Sequence, residues 1–285
     1  MYIGVDGGAT KTTVALADKE GNITARVVGG PSSPRNMGVK ESVENIYTLI
    51  KEVKEGEITS SFIALPAVEE EYRAEKERII KMLQEKGLEG KIVVGSDQLS
   101  AFRAGTKEKE GVVLIAGTGA VAHGWKDGEA VCSSWGYLAD EGSAFYIGME
   151  AFRAVAKHLD GRGEKTKITE ILFEEWKISS PEELRKAVYS DFMRYIPQIS
   201  VFVDMAGDDF VAREILEKAA EELALSANTV VEKLNFTQRF PLVVSGGVFQ
   251  SEKVYHTFKE KVSSLAEVSS PATDPVKGAV ILATL

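Results

Sequence analysis

Residues 2–28 read YIGVDGGATKTTVALADKEGNITARVV, and this stretch decides the fold. Its apolar and β-branched residues fall in three short runs, at 2–5, 12–17 and 23–28, which are separated by glycine-rich or Asp/Asn/Gly turn chemistry. Short runs joined by short turns predict three consecutive antiparallel strands. Helices and strands then alternate: the spacing of apolar residues predicts a helix over 39–55, a strand at 62–65, a helix over 68–86, a strand at 92–94 and a helix that begins near Asp97.

The same pattern begins again about 110 residues later. Residues 112–116 are an apolar run, Gly117-Thr118-Gly119 is a glycine turn, and residues 121–125 and 130–133 have the composition of two further strands. A repeat whose period is a whole domain indicates two similar halves, although chance similarity of two short hairpins is the alternative. The rest of the second half predicts helices over 143–159, 166–174, 181–195, 208–234 and 250–263, strands at 242–245 and 265–268, and a terminal helix from 275.

Composition excludes several classes of protein. The chain has 285 residues, 44% hydrophobic and 27% charged, which is typical of a globular protein and not of a disordered one. Its single cysteine, Cys132, excludes a disulfide scaffold and an intrachain iron–sulfur site, and three scattered histidines do not favour a histidine-rich metal site. The net charge of −9 argues against nucleic acid as a partner, because phosphate binding needs a basic surface.

Hydropathy gives no indication of a membrane partner. No uninterrupted apolar run approaches the roughly 18 residues of a membrane span. The amino terminus enters a strand pattern directly, without a basic segment followed by a long apolar stretch. We therefore expect a soluble, cytoplasmic protein.

Three glycine segments follow apolar strands and are candidates for binding phosphate or nucleotide. They are Asp6–Thr12, Gly117–Gly119 and Ser245–Phe249. Backbone N–H groups in such turns can face an anion without a Cβ in the way, and Asp6 at a strand end could hold a hydrated Mg²⁺. Neither a Walker loop nor a dinucleotide fingerprint fits the spacing. The alternatives are a hairpin with an incidental aspartate and, at 245–249, a packing point between strand and helix.

Two further segments carry carboxylates. Asp97 follows the strand at 92–94 and could be a general base that accepts the proton of an attacking hydroxyl, or simply a helix N-cap. The segment Trp135–Ser143 places an aromatic residue before Asp140 and Glu141 at a helix start. This arrangement suits a sugar, with the aromatic face against the ring and carboxylates accepting hydroxyls. Acidic residues also favour a helix N-terminus for electrostatic reasons alone.

With these segments in this order, the chain resembles the sugar-kinase/Hsp70/actin superfamily, and within it the N-acetylglucosamine kinase-like branch of the BadF/BadG/BcrA/BcrD ATPase family. The resemblance implies an α/β protein of two RNase H-like, actin-like ATPase domains with a cleft between them. The domains would be residues 1–106, joined by the C-terminal helix 275–285, and residues 107–274. It also implies ATP and Mg²⁺ as cofactors, a small-molecule sugar as substrate, and a homodimer.

The resemblance also assigns residues to roles. Asp97 takes the position of the catalytic base and also contacts the substrate, and Asp6 would hold Mg²⁺ through water. The residues that would bind the nucleotide are Asp6, Gly7, Gly8, Thr10, Lys11, Gly117, Thr118, Gly119, Gly207, Gly246, Gly247 and Ser251. Those that would lie beside the sugar are Ser33, Asn36, Trp135, Gly136, Tyr137 and Asp140.

The sequence departs from the family pattern at three places. The usual sugar-binding asparagine falls on Ser33, for which Asn36 could substitute. The usual Ser-Asn after the second glycine turn is Ala120-Val121, and the residue before the Asp-Glu pair is Ala139 instead of glycine. The first two departures remove polar groups from the expected sugar pocket and weaken the expectation that N-acetylglucosamine is the substrate.

Three functions are compatible with these residues. The leading hypothesis is a kinase that transfers the γ-phosphoryl group of ATP to a hydroxyl, most simply the 6-hydroxyl, of an amino sugar such as N-acetylglucosamine or glucosamine. One alternative is an ATPase that activates a reductase or dehydratase, which needs a cluster held by four cysteines; a dimer of this chain would supply two thiols. The other is a sensor that binds sugar and nucleotide without turnover.

Overall fold

The computed structural model describes residues 1–8, 10–66, 73–269 and 274–285. The chain divides into two compact units: Met1–Glu108 together with Ala272–Leu285, and Lys109–Pro271. We call them unit 1 and unit 2. Within the described ranges, none of the helices has the length and apolar character that a membrane span requires.

Unit 1 is built on a five-stranded sheet whose order is β3-β2-β1-β4-β5. Strands β1, β2 and β3 are antiparallel neighbours, whereas β4 and β5 run parallel to β1. The carboxyl ends of β1, β3, β4 and β5 therefore lie at one edge of the sheet. The strands are β1 (Tyr2–Gly7), β2 (Thr12–Ala17), β3 (Ile23–Gly29), β4 (Ser60–Leu65) and β5 (Lys91–Ser96).

Helices cover both faces of this sheet. Alternate residues of β1 point to opposite faces, so that Ile3 and Val5 enter one core while Gly4 faces the C-terminal helix. A Cβ at Gly4 would lie 2.6 Å from the backbone nitrogen of Val280, which shows how closely that helix approaches the sheet. The helices are α1 (Pro34–Met37), α2 (Val39–Val53), α3 (Arg73–Glu85), α4 (Asp97–Gly105) and the C-terminal α11 (Pro275–Thr284). The first residues of the helix predicted over 68–86 lie outside the described residues.

Unit 2 repeats the topology of unit 1. Its sheet has the order β10-β9-β6-β7-β8, in which β6, β7 and β8 are antiparallel neighbours and β9 and β10 run parallel to β6. Read from the third strand of each unit, the two orders are the same. The strands are β6 (Gly111–Ala116), β7 (Ala120–Trp125), β8 (Glu129–Ser133), β9 (Phe240–Ser245) and β10 (Ala266–Val268). The internal repeat and the α/β class predicted from the sequence are thus confirmed.

The described residues of unit 2 form six α-helices, and one prediction about them was wrong. The single helix expected over 181–195 is two helices that meet at Asp191, whose backbone has the non-helical angles φ −160° and ψ 75°. Its side chain accepts a hydrogen bond from the backbone N–H of Arg194 and so begins a new helix, which the sequence analysis missed. The helices are α5 (Ala144–Leu159), α6 (Lys167–Glu175), α7 (Pro181–Ser190), α8 (Phe192–Met205), α9 (Phe210–Lys233) and α10 (Glu252–Lys261).

Candidate functional site

The first glycine turn closes the hairpin between β1 and β2. The Gly8 amide donates to the Lys11 carbonyl at 2.9 Å, and Thr10 and Lys11 are exposed at its tip. Gly7 is required by packing, since a Cβ there would lie 2.6 Å from the Leu65 side chain. The turn therefore places backbone groups and the side chains of Thr10 and Lys11 at one edge of the sheet of unit 1, which we call sheet 1. Its parallel strands end at this edge.

Asp6 lies beside this turn, near the end of β1. Burial raises the pKa of its carboxyl from 3.8 to about 6, and the negative charge of Asp274 adds to the rise. Lys11 and Arg26 act in the opposite direction, and Arg26 is itself paired with Asp274 at 3.1 Å. Ionising this carboxyl is unfavourable by itself, and a cation nearby would stabilise the charged form.

The loop after β3 is bonded to the first turn. Ser32 donates its N–H to the Gly8 carbonyl at 3.0 Å, and its hydroxyl lies 2.5 Å from that of Thr12. Ser33 follows, is 3% exposed, and begins the short helix α1. Asn36 is exposed on that helix. Of the two residues of this loop that are predicted to lie beside the sugar, Asn36 is thus the one that is exposed.

Asp97 is the first residue of α4, directly after β5. The N-cap of this helix is Ser96, whose hydroxyl accepts the N–H of Leu99 at 3.2 Å. The capping role that was the alternative explanation for Asp97 is therefore filled by its neighbour. The N-cap Ser96 and the carboxylate of Asp97 lie at the carboxyl end of β5, which is parallel to β4. Open α/β sheets usually bind ligands at the carboxyl ends of their parallel strands.

Unit 1 brings Asp6 and Asp97 to the same edge of one sheet. Asp6 is in register with Ala64 of β4, which is in register with Gly95 of β5. Since neighbouring strands are about 4.8 Å apart, the two strand ends lie roughly 10 Å apart. A phosphate chain near the first turn and a hydroxyl near Asp97 could both be accommodated at this edge.

The second glycine turn, Gly117–Gly119, joins β6 and β7 in unit 2. The Gly117 amide donates to the Gly119 carbonyl at 2.9 Å, and the carbonyls of Gly117 and Thr118 accept the amides of Ala144 and Phe145 at the start of α5. Among the described residues, the amides of Thr118 and Gly119 have no hydrogen-bond acceptor. These two donors remain for an anion at the tip of the turn.

Asp140 is the centre of a hydrogen-bond network behind this turn. One carboxylate oxygen accepts the amide of Trp135 at 2.8 Å, and the other accepts those of Ala120 and Gly136, both at 3.2 Å. Burial raises the pKa of the carboxyl, and these hydrogen bonds partly offset the rise. The side chain thus has a structural role that the sequence did not indicate, while its contact with a sugar stays a prediction.

The residues around Asp140 differ in exposure. Trp135 is 85% exposed and Gly136 adopts a positive φ of 100°. Tyr137 instead packs against Phe145, with ring centroids 4.8 Å apart. Trp135 therefore offers an aromatic face to a ligand, whereas most of Tyr137 belongs to the core of unit 2.

The third glycine segment lies against the second. Gly246 has φ 102°, and a Cβ there would lie 2.2 Å from the carbonyl oxygen of Ala116, the residue before Gly117. At Gly246 this close packing fits the alternative given for residues 245–249, a packing point between strand and helix. By contrast, space is open around the Cβ position of Gly247. The carboxyl ends of β6 and β9 are thus brought side by side.

A cavity of about 110 Å³ opens beside Gly247. One wall is the start of α10, where the Ser251 hydroxyl caps the helix by accepting the Val254 amide. Gly207 follows the end of α8 and has a positive φ of 57°. It is close in sequence to Asp204, which lines the cavity. The cavity includes Val201, Asp204, Gly247, Gln250, Ser251 and Val254 among its lining residues.

Several residues of the site were missed from the sequence. Ser32 joins the loop after β3 to Thr12 of the predicted Asp6–Thr12 segment, and Asp204 and Gln250 line the cavity of unit 2. The signal for Ser32 was its position next to Ser33; no sequence pattern indicated Asp204 or Gln250. The predicted residues fall into one group per unit: Asp6, Gly7, Gly8, Thr10, Lys11, Ser33, Asn36 and Asp97 in unit 1, and the others in unit 2.

Comparisons with known proteins agree with this geometry. The chain is 30% identical to an N-acetylmuramic acid/N-acetylglucosamine kinase of Clostridium acetobutylicum, covering 99% of this chain and 97% of the relative. It is 28% identical to an N-acetyl-D-glucosamine kinase of Dictyostelium discoideum, with the same coverage. A solved Porphyromonas gingivalis protein, provisionally named an N-acetylglucosamine kinase, has the same fold, with a TM-score of 0.77, 19% identity, and coverage of 100% and 99%.

The family comparison covers nearly the whole chain. The model of the BadF/BadG/BcrA/BcrD ATPase family matches residues 3–283. This range includes all three glycine segments, Asp97 and the Trp135–Ser143 segment, so the resemblance drawn from those motifs is confirmed. The chain belongs to the BadF/BadG/BcrA/BcrD ATPase family.

Proposed function

We propose that the protein is an ATP-dependent kinase that phosphorylates a hydroxyl of an N-acetylated amino sugar. The observation that carries the proposal is the placement of Asp6, the first glycine turn and Asp97 at one edge of sheet 1. Two relatives of nearly equal length are named as kinases of such sugars. We expect the 6-hydroxyl to be the acceptor.

Asp97 is the proposed general base. Its carboxylate accepts the proton of the sugar hydroxyl as the hydroxyl oxygen forms a bond to the γ-phosphorus. The bond between that phosphorus and the bridging oxygen of ADP breaks, and ADP leaves with the bonding electrons. Because Ser96 caps α4, the Asp97 carboxylate is not needed to hold the helix start.

The residues present fit ATP. The amides of Thr118 and Gly119 have no acceptor among the described residues, and the Cβ position of Gly117 is open. We propose that these donors bind phosphate oxygens of ATP, that the first turn also binds phosphate, and that the base and ribose use the cavity beside Gly247 and Ser251. Gly207, close in sequence to Asp204 in the wall of that cavity, would lie near the nucleotide.

The donor set also fits Mg²⁺. Asp6 is a partly buried carboxylate with a raised pKa beside a phosphate-binding turn, and the described residues contain no cluster of three or more metal-binding side chains. Magnesium is commonly held by one or two carboxylates together with phosphate oxygens and water. When bound, it would neutralise charge on the phosphates; Asp6 would hold it through water.

We propose that the exposed ring of Trp135 contacts the sugar and that the exposed side chain of Asn36 is a further sugar contact. Because Ser33 replaces the asparagine expected there and is buried, the N-acetyl or ring hydroxyl groups would be bound with fewer side-chain amides. This loss leaves the choice between N-acetylglucosamine and N-acetylmuramic acid to experiment. Gly136, Tyr137 and Asp140 complete the proposed sugar side.

The test is an ADP-release assay with a sugar panel. Wild-type protein with ATP and Mg²⁺ is incubated with glucose, glucosamine, N-acetylglucosamine, N-acetylmannosamine and N-acetylmuramic acid. We expect the highest kcat/KM with N-acetylglucosamine or N-acetylmuramic acid, and a phosphorylated sugar in the product. ADP release that no sugar accelerates would contradict the proposal and favour an ATPase or a sensor.

Two further properties belong to the proposal. We propose a homodimer, which light scattering would detect as about twice the chain mass of 31.0 kDa. We also propose a cytoplasmic location, which is supported by the single free Cys132 because cytosolic thiols stay reduced. Cell fractionation tests the location.

A further inference from the structure

The loop from Ser133 to Gly136 is held in a strained conformation. Ser133 and Ser134 have φ values of 64° and 68°, and Gly136 has φ 100°. Non-glycine residues rarely adopt the left-handed region, and two in succession persist only where surrounding contacts hold them. We call residues 133–136 the Trp135 loop.

One carboxylate supplies two of the contacts that hold the Trp135 loop. Asp140 is 4% exposed and accepts the amides of Trp135 and Gly136. The Ser134 amide bonds in addition to the Ala120 carbonyl at 3.0 Å. The ring of Trp135 is left in solvent, so these contacts fix the backbone that carries the ring without burying the ring itself.

The same carboxylate touches the second glycine turn. It accepts the Ala120 amide at 3.2 Å, and a Cβ at Gly119 would lie only 2.8 Å from its Oδ2. One side chain therefore contacts the turn that carries the unused amides of Thr118 and Gly119 and, on its other side, the Trp135 loop. Charge-assisted hydrogen bonds of this kind are about twice as strong as neutral ones.

We propose that Asp140 is a positioning residue that connects the phosphate-binding turn 117–119 to the Trp135 loop, so that nucleotide binding sets the position of Trp135 before the sugar arrives. The inference rests on the proposed function in taking nucleotide phosphate as the ligand of the turn. Phosphate bound at Thr118 and Gly119 shifts the Ala120 amide against Oδ2 of Asp140, and the amides of Gly136 on the same oxygen and of Trp135 on Oδ1 follow.

Such a connection has a thermodynamic consequence. If ADP binding sets the Trp135 loop, ADP lowers the dissociation constant of the sugar, and the sugar lowers that of ADP by the same factor. Couplings of this type are commonly about 5- to 150-fold. Asp140→Asn removes the connection, because an amide nitrogen at one position would face backbone N–H groups instead of accepting from them.

The experiment uses tryptophan fluorescence and calorimetry with ADP and N-acetylglucosamine. In wild type, saturating ADP without sugar should change the tryptophan emission, and the change should vanish in Trp135→Phe. We expect ADP to lower the sugar Kd at least about 5-fold. In Asp140→Asn, ADP still binds, but the emission change is lost and the factor falls below about 2.

Asp18→Asn is the matched control. Asp18 also collects backbone amides in a hairpin turn, those of Glu20 and Asn22, but it lies in unit 1 between β2 and β3. This variant should keep the wild-type emission change and coupling factor. If Asp140→Asn does not fold, the wild-type protein still tests the inference, through the emission change on ADP binding and the factor by which ADP lowers the sugar Kd.

Four results would overturn the proposal. Saturating ADP that leaves Trp135 emission unchanged, or an Asp140→Asn protein with the wild-type coupling factor, contradicts the inference and leaves the proposed kinase function intact. Absence of ADP binding to the wild-type protein contradicts both. A change in emission that persists in Trp135→Phe shows that Trp125 or Trp176 responds instead and also overturns the inference.

Discussion

Replacing Asp6 with asparagine should make the ligand-free protein more stable at neutral pH, even though we place this residue in the active site. Burial raises the pKa of the Asp6 carboxyl from 3.8 to about 6, so the folded state binds its proton more tightly than the unfolded chain does. The proton bound to Asp6 therefore stabilises the folded state, fully below about pH 4, and this stabilisation is lost as the pH rises through about 6. Asparagine cannot ionise and avoids the loss.

The size of the effect follows from the shift. A difference of about two pKa units corresponds to about 3 kcal/mol at 1.36 kcal/mol per unit, and this is an upper value because Asp6 is only partly buried. For a protein of this size a gain of 1 kcal/mol raises Tm by about 2–4 °C. We expect Asp6→Asn to have a Tm at least about 4 °C above wild type at pH 8, and the same Tm near pH 4.

The assay is thermal unfolding followed by circular dichroism at several pH values, with EDTA present so that no divalent cation stabilises the carboxylate. Asp18→Asn is the control with the opposite sign, because hydrogen bonds from Asn22 lower the pKa of Asp18. That variant should lose stability at pH 8 relative to pH 3. A Tm of Asp6→Asn at or below wild type at pH 8 would refute the reasoning, as would a difference that does not depend on pH.

Three other predictions test close packing and ligand binding. Gly246→Ala should lower the free energy of unfolding by at least about 2 kcal/mol, because its Cβ would lie 2.2 Å from the Ala116 carbonyl oxygen at a positive φ. Gly247→Ala should keep wild-type stability, because space around its Cβ position is open. Equal Tm values for the two variants in thermal unfolding would contradict this prediction. Gly278→Ala should also destabilise by at least about 2 kcal/mol, since its Cβ would lie 1.7 Å from the Ser100 carbonyl of α4, and unchanged urea unfolding of unit 1 would refute it. Magnesium with ADP should raise the Tm of wild type but raise that of Asp6→Asn much less; an equal rise in both would remove Asp6 from the cation site.

The strand and turn pattern was readable from the sequence because it depends on local chemistry. The runs at 12–17 and 112–116, each with three β-branched residues, and the glycine turns beside them favour hairpins, and the repeat of that pattern predicted the two units. The break at Asp191 was missed because apolar spacing continues through it. Its signal was Asp191 itself, a residue type that is strongly preferred at helix N-caps.

The roles of site residues were predictable only in part. The position of Asp97 after a parallel strand followed from the pattern, but the cap on Ser96 required backbone geometry. Asp140 was singled out as a carboxylate near an aromatic residue. Its hydrogen bonds depend on left-handed Ser133 and Ser134, a conformation that serine rarely adopts and that no periodicity indicates. Long-range contacts of this kind are outside what local sequence specifies.

The most direct test of the account is sugar-dependent ADP release by Asp97→Asn beside wild type, with ADP affinity measured on the same preparations. Loss of a general base costs about 10²- to 10⁴-fold in rate, so we predict kcat at least about a hundredfold below wild type, with the Kd of ADP within about twofold. A variant that turns over at the wild-type rate would contradict the assignment of Asp97, and with it the mechanism proposed for sheet 1.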